Sequence, residues 1–357
     1  MIIHSYLKYL ADKGGSDLHL NAGGPAYVRV DGDLSDVHDL PVLSPDDTER
    51  MALELMDPLS RERFDRGDEA DFAYSLHGVG RFRVAVFRQR GSVGMVLRRV
   101  LPGSQSFDDL GLPPVVRKLA EEHRGLALVT GPTGSGKTTT TAAMISHINA
   151  TRRCHIVTLE DPIEILHSDN LAIIDQREIG VDTKDFATAL RSVARQDPDV
   201  IFLGEMRDVE TVTAALQAAE TGHFVISTLH TTDATETINR IVDMFPPYQQ
   251  AQARLSLSNS LQGIICQRLL PKAGGGRIAA IEAMVNTVRM EEFITDPSKT
   301  EMIEQAISEG EYYGMQTFDQ HLLALYRDGL VTLKDALAAA TSSHDFRIAI
   351  RAAGLKG

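Results

Sequence analysis

Only two of the 357 residues are cysteine, Cys154 and Cys266, and none is tryptophan. The cysteines are far apart and form no C-x-x-C pair. That argues against a disulfide framework and a zinc ribbon and suits a reducing compartment. No window approaches the about 18 consecutive apolar residues of a transmembrane helix. The N-terminus, Met1-Ile2-Ile3-His4-Ser5-Tyr6-Leu7-Lys8, lacks a long apolar stretch and soon meets Asp12 and Lys13, so it does not read as a signal peptide. Basic charge is in deficit: 36 lysines and arginines face 49 acidic residues, a formal net charge of -13. Such a chain offers no global basic field to attract nucleic acid. Internal repeats and low-complexity tracts are also absent. These absences lead to the expectation of a cytoplasmic protein that binds no nucleic acid.

What is present is enough apolar material for a sizeable core, 43% hydrophobic against 24% charged. One core rarely grows past roughly 250–300 residues, so two domains are expected. Residues 1–100 read as a small α+β domain. Tyr27-Val28-Arg29-Val30-Asp31-Gly32-Asp33 is a strand-like run ending in an Asp-Gly hairpin signal. Ser44-Pro45 opens a helix, with serine as cap and proline in the first turn, and Met51, Leu55 and Met56 give it an apolar face. Residues 81–90 alternate as a strand with Phe82, Val84 and Val86 on one side, and Gly91-Ser92-Val93-Gly94 turns the chain back into residues 95–100. Residues 101–113 look like a linker. Residues 114–357 then alternate strands and helices, with strands expected at 126–130, 155–159, 200–203 and 224–228. Short apolar runs followed by helical patterns predict a mainly parallel sheet, hence an α/β class. From about Ala283 the chain reads as helical, including residues 319–327 and 332–340.

The strongest chemical signal is Gly131-Pro132-Thr133-Gly134-Ser135-Gly136-Lys137-Thr138, with Thr139 following. It matches G-x-x-x-x-G-K-[ST] between a strand and a helix, the context in which that motif cradles phosphates. The glycines let backbone N–H groups wrap a β-phosphate, and the helix N-terminus adds its positive end. Lys137 can reach the β- and γ-phosphates of ATP, and the Thr138 hydroxyl can bind Mg²⁺. A hydrolase also needs carboxylates at neighbouring strand ends. Glu160-Asp161-Pro162-Ile163-Glu164 follows one strand, and Glu205 follows another at the Walker B position. Glu164 is expected to activate water, and Glu205 to hold the metal, largely through water.

His223 and His230 flank one strand and lack the partners of a zinc site. They are taken as sensors of the γ-phosphate, against strand-end histidines with local hydrogen bonds. Arg81, Arg83, Arg88, Arg90, Arg98 and Arg99 crowd two adjacent strands. They read as a solvated face, as a source of arginine fingers with Arg83 and Arg98 the candidates for catalysis, or as a nucleic-acid patch, the last weakened because only Phe82 and Phe87 are there to stack bases.

The runs Ser16-Asp17-Leu18-His19-Leu20, Arg29-Val30-Asp31-Gly32-Asp33, the phosphate loop, Glu160–Glu164, Gly204-Glu205-Met206-Arg207-Asp208, Thr221-Gly222-His223 and Thr228-Leu229-His230-Thr231 resemble the secretion ATPases of the type II/type IV pilus group. They stand in the order of that family's motifs and span nearly the whole chain. The resemblance implies a PAS-like N-terminal domain, a RecA-like ATPase domain with helical C-terminal part, and a homohexameric ring at the cytoplasmic face of the inner membrane. It also implies Glu164 as catalytic glutamate and N-terminal-domain arginines at the nucleotide. An inner-membrane platform protein is the implied partner, with membrane association only through partners. No extra N-terminal domain or four-cysteine site is present, which favours the retraction branch. Residues 288–295, Val-Arg-Met-Glu-Glu-Phe-Ile-Thr, depart from the Ala-Ile-Arg-Asn-Leu-Ile-Arg-Glu helix common in that branch. The alternatives are a pilus assembly or type II secretion ATPase, and an accessory ring that depends on a paralogous pilus ATPase. A nucleic-acid translocase and a non-catalytic nucleotide-dependent scaffold are the more distant alternatives.

Overall fold

The computed structural model describes residues 2–30, 32–103 and 105–355. It divides into two units, Met1–Pro102 with Glu164–Leu166, and Gly103–Ile163 with His167–Gly357. In the first, helix α1 (Ile3–Asp12) leads into antiparallel strands β1 (Asp17–Leu20), β2 (Ala26–Val30) and β3 (Asp33–Val37). Asp31 of the expected Asp-Gly turn lies outside the described residues. Ser44 caps α2 (Pro45–Leu55): its Oγ accepts from Asp47 N while the Asp47 carboxylate accepts from Ser44 N. Helix α3 (Pro58–Asp65) follows, then β4 (Ala70–Leu76), β5 (Gly80–Gln89) and β6 (Ser92–Pro102). The turn between β5 and β6 is tighter than the four residues expected. Arg90 and Gly91 alone make it, both at positive φ (49° and 78°), a two-residue form that matches the twist of paired strands. The strands lie in the order β3-β2-β1-β6-β5-β4. Phe82, Val84 and Val86 of β5, Met95 and Leu97 of β6 and Leu18 and Leu20 of β1 join Tyr6, Leu7, Met51 and Phe64 in one core. Alternation sends the intervening residues to the other face.

The segment expected as a linker carries structure. Ser106 caps a short helix α4 (Phe107–Leu110), and Phe107 is buried. The chain continues through α5 (Pro114–Ala120), β7 (Gly125–Thr130), α6 (Lys137–Thr151) and β8 (His155–Glu160). The two-residue strand β9 (Ile165–Leu166) pairs in parallel with the end of β6 and so belongs to the first unit. The second unit resumes with β10 (Ile173–Glu178), α7 (Phe186–Val193), β11 (Val200–Leu203), α8 (Val209–Glu220), β12 (Phe224–Leu229), α9 (Ala234–Asp243) and α10 (Gln250–Ser260). A hairpin of β13 (Leu261–Pro271) and β14 (Arg277–Val285) precedes helices α11 (Val288–Thr295), α12 (Ile303–Ser308), α13 (Phe318–Arg327), α14 (Leu333–Ala339) and α15 (Ser343–Ala352). No described helix is long and apolar enough to cross a membrane.

The second sheet has the order β10-β8-β11-β12-β7-β13-β14, and every neighbouring pair except β13–β14 is parallel. Both faces are covered. Leu126, Leu128, Val157, Leu159, Ile201 and Leu203 enter one core, and Ala127, Val129, Ile156, Val200, Phe202 and Ile226 the other. Two-sided burial is why these strands read as unbroken apolar runs. Because β7, β8, β11 and β12 all run the same way, their C-terminal ends gather at one edge, the edge where open α/β sheets bind ligands.

Candidate functional site

At that edge β7 gives way to the loop Gly131–Thr138. Gly131 sits at φ 147°, and a Cβ there would stand 2.4 Å from the Gln267 carbonyl oxygen, so no other residue fits without moving backbone. Gly136, at φ 91°, precedes Lys137, the first residue of α6. Lys137 is 9% exposed. Its Nζ donates to the carbonyl oxygens of Gly131 (2.7 Å) and Pro132 (3.2 Å) and lies 3.4 Å from His230 Nδ1. Ser135 is buried within the loop, whereas Pro132, Thr133 and Gly134 are exposed; Thr138 and Thr139 on the first turn of α6 are half-buried.

From His230 the contacts continue across three strand ends. His230 Nε2 is 3.3 Å from Glu205 Oε1, and the other Glu205 oxygen accepts from Arg207 Nε at 2.9 Å. Arg207 Nη1 is 3.6 Å from Asp161 Oδ2. The hydrogen bond to Glu205 raises the Arg207 pKa further above its already high value. These groups are partly exposed, so each pair is worth only about 0–1 kcal/mol. Their value is in position. The end of β11 is locked to β12 by Ser227 Oγ donating to Leu203 O (2.8 Å) and Thr228 Oγ1 to Gly204 O (2.7 Å), both buried or nearly so. That brace sets Glu205 opposite His230.

Among the described residues no three or more His, Cys, Asp or Glu side chains cluster as a metal site. A hydroxyl at Thr138 and a carboxylate at Glu205 are instead the sparse oxygen donors that suit Mg²⁺, an ion that keeps several waters. With one Glu205 oxygen at His230 and the other at Arg207, that carboxylate fits contact through water. Glu160, at the end of β8, is buried and accepts from Thr158 Oγ1 (2.6 Å) and Gln176 Nε2 (3.1 Å).

Of the other expected residues, one lies at the far end of its strand and three belong to the first unit. His223 precedes β12 at the opposite edge, where its carbonyl accepts from Gly125 N (3.0 Å), the residue that begins β7. Six residues of parallel strand separate the two edges by ~20 Å. The ring of His223 bonds locally, with Nδ1 2.9 Å from Ala218 O and 3.2 Å from Thr221 Oγ1. Within one chain, strand direction sends His230, and not His223, to the loop. Glu164 is exposed, immediately before β9, and belongs to the first unit. Arg83 and Arg98 also lie there, directly opposite one another on β5 and β6. Arg98 Nε donates to Asp17 Oδ1 at 2.7 Å. Burial would raise the Asp17 carboxyl, but hydrogen bonds from Arg98 and Ser16 outweigh it and hold the pKa below its usual range. Arg83 is exposed.

Two site residues escaped the sequence reading. Arg207 stands two places after Glu205, close enough to have been suspected as its partner. Gln267 is a polar residue inside the apolar run 261–270, and it lies under the loop with Nε2 donating to Ser135 O at 2.8 Å.

The family model for type II/IV secretion system proteins matches residues 2–276. The type IV pilus retraction ATPase PilT of Pseudomonas aeruginosa is 44% identical over 346 residues, 97% of this chain and 100% of that protein. The type IV pilus ATPase PilU of the same organism is 41% identical over 352 residues, 98% of this chain and 92% of that protein. Among solved structures, the pilus retraction motor PilT with bound ADP aligns with a TM-score of 0.87 at 48% identity, covering 96% of this chain and 98% of that one.

Proposed function

The chain belongs to the type II/IV secretion system protein family and is an ATP hydrolase of it, and on that footing we propose that it is the motor of type IV pilus retraction. The observation that carries this reading is the convergence of Lys137, His230 and Glu205 at one sheet edge, in a chain alike over 97% of its length to a retraction ATPase. The working form is a homohexamer in the cytoplasm, at the inner face of the membrane through a platform protein.

In this mechanism the phosphates of ATP take the place of the Gly131 and Pro132 carbonyls as acceptors for Lys137. Residues 131–139 wrap the phosphates with backbone N–H groups. Thr138 and Glu205 would hold Mg²⁺, largely through water, and the ion supplies charge to offset that developing on the phosphates. Glu164 accepts the proton of the attacking water. Arg83 and Arg98 are the proposed fingers that neutralise the γ-phosphate. His230, standing between Lys137 and Glu205, registers whether the γ-phosphate is present. Loss of that phosphate resets these contacts, a local change of the kind that switches larger elements.

The test is gene deletion scored for surface pili and twitching, complemented with wild type, Lys137→Ala and Glu164→Ala. A retraction motor leaves excess surface pili when lost, and neither variant restores movement. Bare cells on deletion would replace this reading with an assembly motor. A second reading, an accessory ring beside a paralogous motor, is favoured by the 41% identity to PilU over 98% of the chain. It gains ground if deletion leaves retraction intact until load is applied.

A further inference from the structure

Gln267 lies on β13, one residue past the register pair of Cys266 with Thr130, where β7 passes into the phosphate loop. Only 1% of it is exposed. Its Nε2 donates to the Ser135 carbonyl at 2.8 Å. A Cβ at Gly136 would stand 3.2 Å from that nitrogen, and one at Gly131 would stand 2.4 Å from the Gln267 carbonyl oxygen. One residue therefore meets both ends of the loop. Gln267 Oε1 and Ser135 Oγ are buried without a hydrogen-bond partner among the described residues. Unmatched buried polar atoms are rare in folded proteins and call for an explanation.

Peptide geometry supplies one. The Ser135–Gly136 bond is trans, the described cis bond being Asp161–Pro162. In a trans unit the C=O and N–H point in opposite directions. Drawing the Ser135 carbonyl onto Gln267 turns the Gly136 N–H away from β13 and into the hollow of the loop, where backbone N–H groups hold phosphate. We propose that Gln267 is a positioning residue of the nucleotide site, whose side-chain amide fixes the 135–136 peptide so that the Gly136 N–H meets the β-phosphate of ATP or ADP. It touches the loop and not the nucleotide. The unmatched atoms are consistent with a peptide held in place for a ligand. The inference rests on the reading that this loop binds the phosphates.

The experiment titrates the full-length protein with a fluorescent ADP analogue and compares wild type, Gln267→Met, Gln267→Glu and Lys137→Ala. Methionine keeps the length and apolar contacts but removes the donor. It should bind ADP roughly tenfold more weakly, the loss expected for one hydrogen bond acting on a charged ligand, while the melting temperature without nucleotide stays near that of wild type. Glutamate places an acceptor against the Ser135 carbonyl. It should bind weakly at about pH 8 and gain on wild type as the pH falls to about 6, because a protonated carboxyl can donate as the amide does. A residue that merely packs would show no such recovery. Wild-type affinity in Gln267→Met, or a loss in Gln267→Glu that acid does not reverse, overturns the proposal. If the methionine variant fails to fold, the glutamate pH series decides alone. Unchanged ADP affinity in Lys137→Ala would instead strike the phosphate-loop reading itself.

Discussion

Glu282 gives the sharpest quantitative test of the ATPase core. It is 5% exposed, on β14. Its carboxylate accepts from Ala234 N at 2.9 Å, at the start of α9. Burial raises its pKa from 4.5 to about 7, with Asp233 and Glu304 pushing the same way and the Ala234 N–H and Arg268 opposing. A carboxyl whose folded pKa lies above its unfolded value is best tolerated protonated. Stability from this group is full below about pH 4.5, falls as the pH rises towards 7, and is flat beyond. At about 1.4 kcal/mol per unit, the shift corresponds to roughly 3 kcal/mol. Glu282→Gln keeps the acceptor for Ala234 N and removes the titration. The stability of the variant minus that of wild type should therefore climb by roughly 3 kcal/mol between about pH 4.5 and 8. Any constant cost of the new amide cancels in that difference. The assay is urea unfolding of both proteins, without nucleotide, across the pH range. A difference that stays flat would show that Glu282 is ionised and well solvated in the folded chain, and the reasoning from burial would fail.

His321 should behave in the opposite sense. It is 9% exposed and Nδ1 accepts from Ile281 N at 2.9 Å; burial lowers its pKa from 6.5 to about 4, so stability drains as the pH falls through that window. His321→Asn, which keeps an acceptor, should remove a loss of roughly 3 kcal/mol from the acid limb of the same urea series. Gly131→Ala should cut ADP affinity by roughly 100-fold or more in a binding titration, since its Cβ meets backbone oxygen at 2.4 Å and φ is 147°. His230→Ala should lower steady-state ATP turnover by at least roughly tenfold, while His223→Ala, a strand length away, should stay within roughly threefold. Equal losses in the two variants would show that His223 also serves the reaction.

Much of the site could be read before any coordinates because phosphate binding restricts sequence tightly. The loop needs glycines where φ is positive and a lysine at the helix start, and those demands leave a visible motif. Glu205 was found because a short apolar strand, residues 200–203, ends just before it. The two histidines show where such reading stops. Each borders the same strand, and only its direction in a parallel sheet separates the end near Gly131 from the end near Gly125. Strand direction is a property of the assembled sheet. The hairpin β13–β14 was missed for a related reason. Ala279, Ala280 and Ala283 have no preference for strands, and residues 261–270 run straight out of helix α10 with no turn residue between. Sheet burial on both faces, not local preference, decides that segment. Asp108 and Asp109 looked like linker residues, yet Ser106 and Asp109 cap α4 reciprocally and Phe107 anchors it.

The state of Lys137 ties the site together. Its ammonium donates to two neutral carbonyls of its own loop and lies beside His230. Hydrogen bonds from an ammonium to an ionised phosphate are shorter and roughly twice as strong as those to neutral acceptors. Phosphate entry can thus draw Nζ off Gly131 and Pro132, and with it away from Nδ1 of His230. His230 would then keep its contact with Glu205, which in turn is held by Arg207, which reaches Asp161. Each of these half-exposed pairs is weak, so the row can be rearranged at little cost. The β11 and β12 ends that carry Glu205 and His230 are tied to each other by two hydroxyl-to-carbonyl bonds. A rigid sheet edge bearing loosely held charges is suited to report what occupies the loop. Asp161 is three residues along the chain from Glu164, so a change at the end of that row lies within one short segment of the glutamate proposed to activate water.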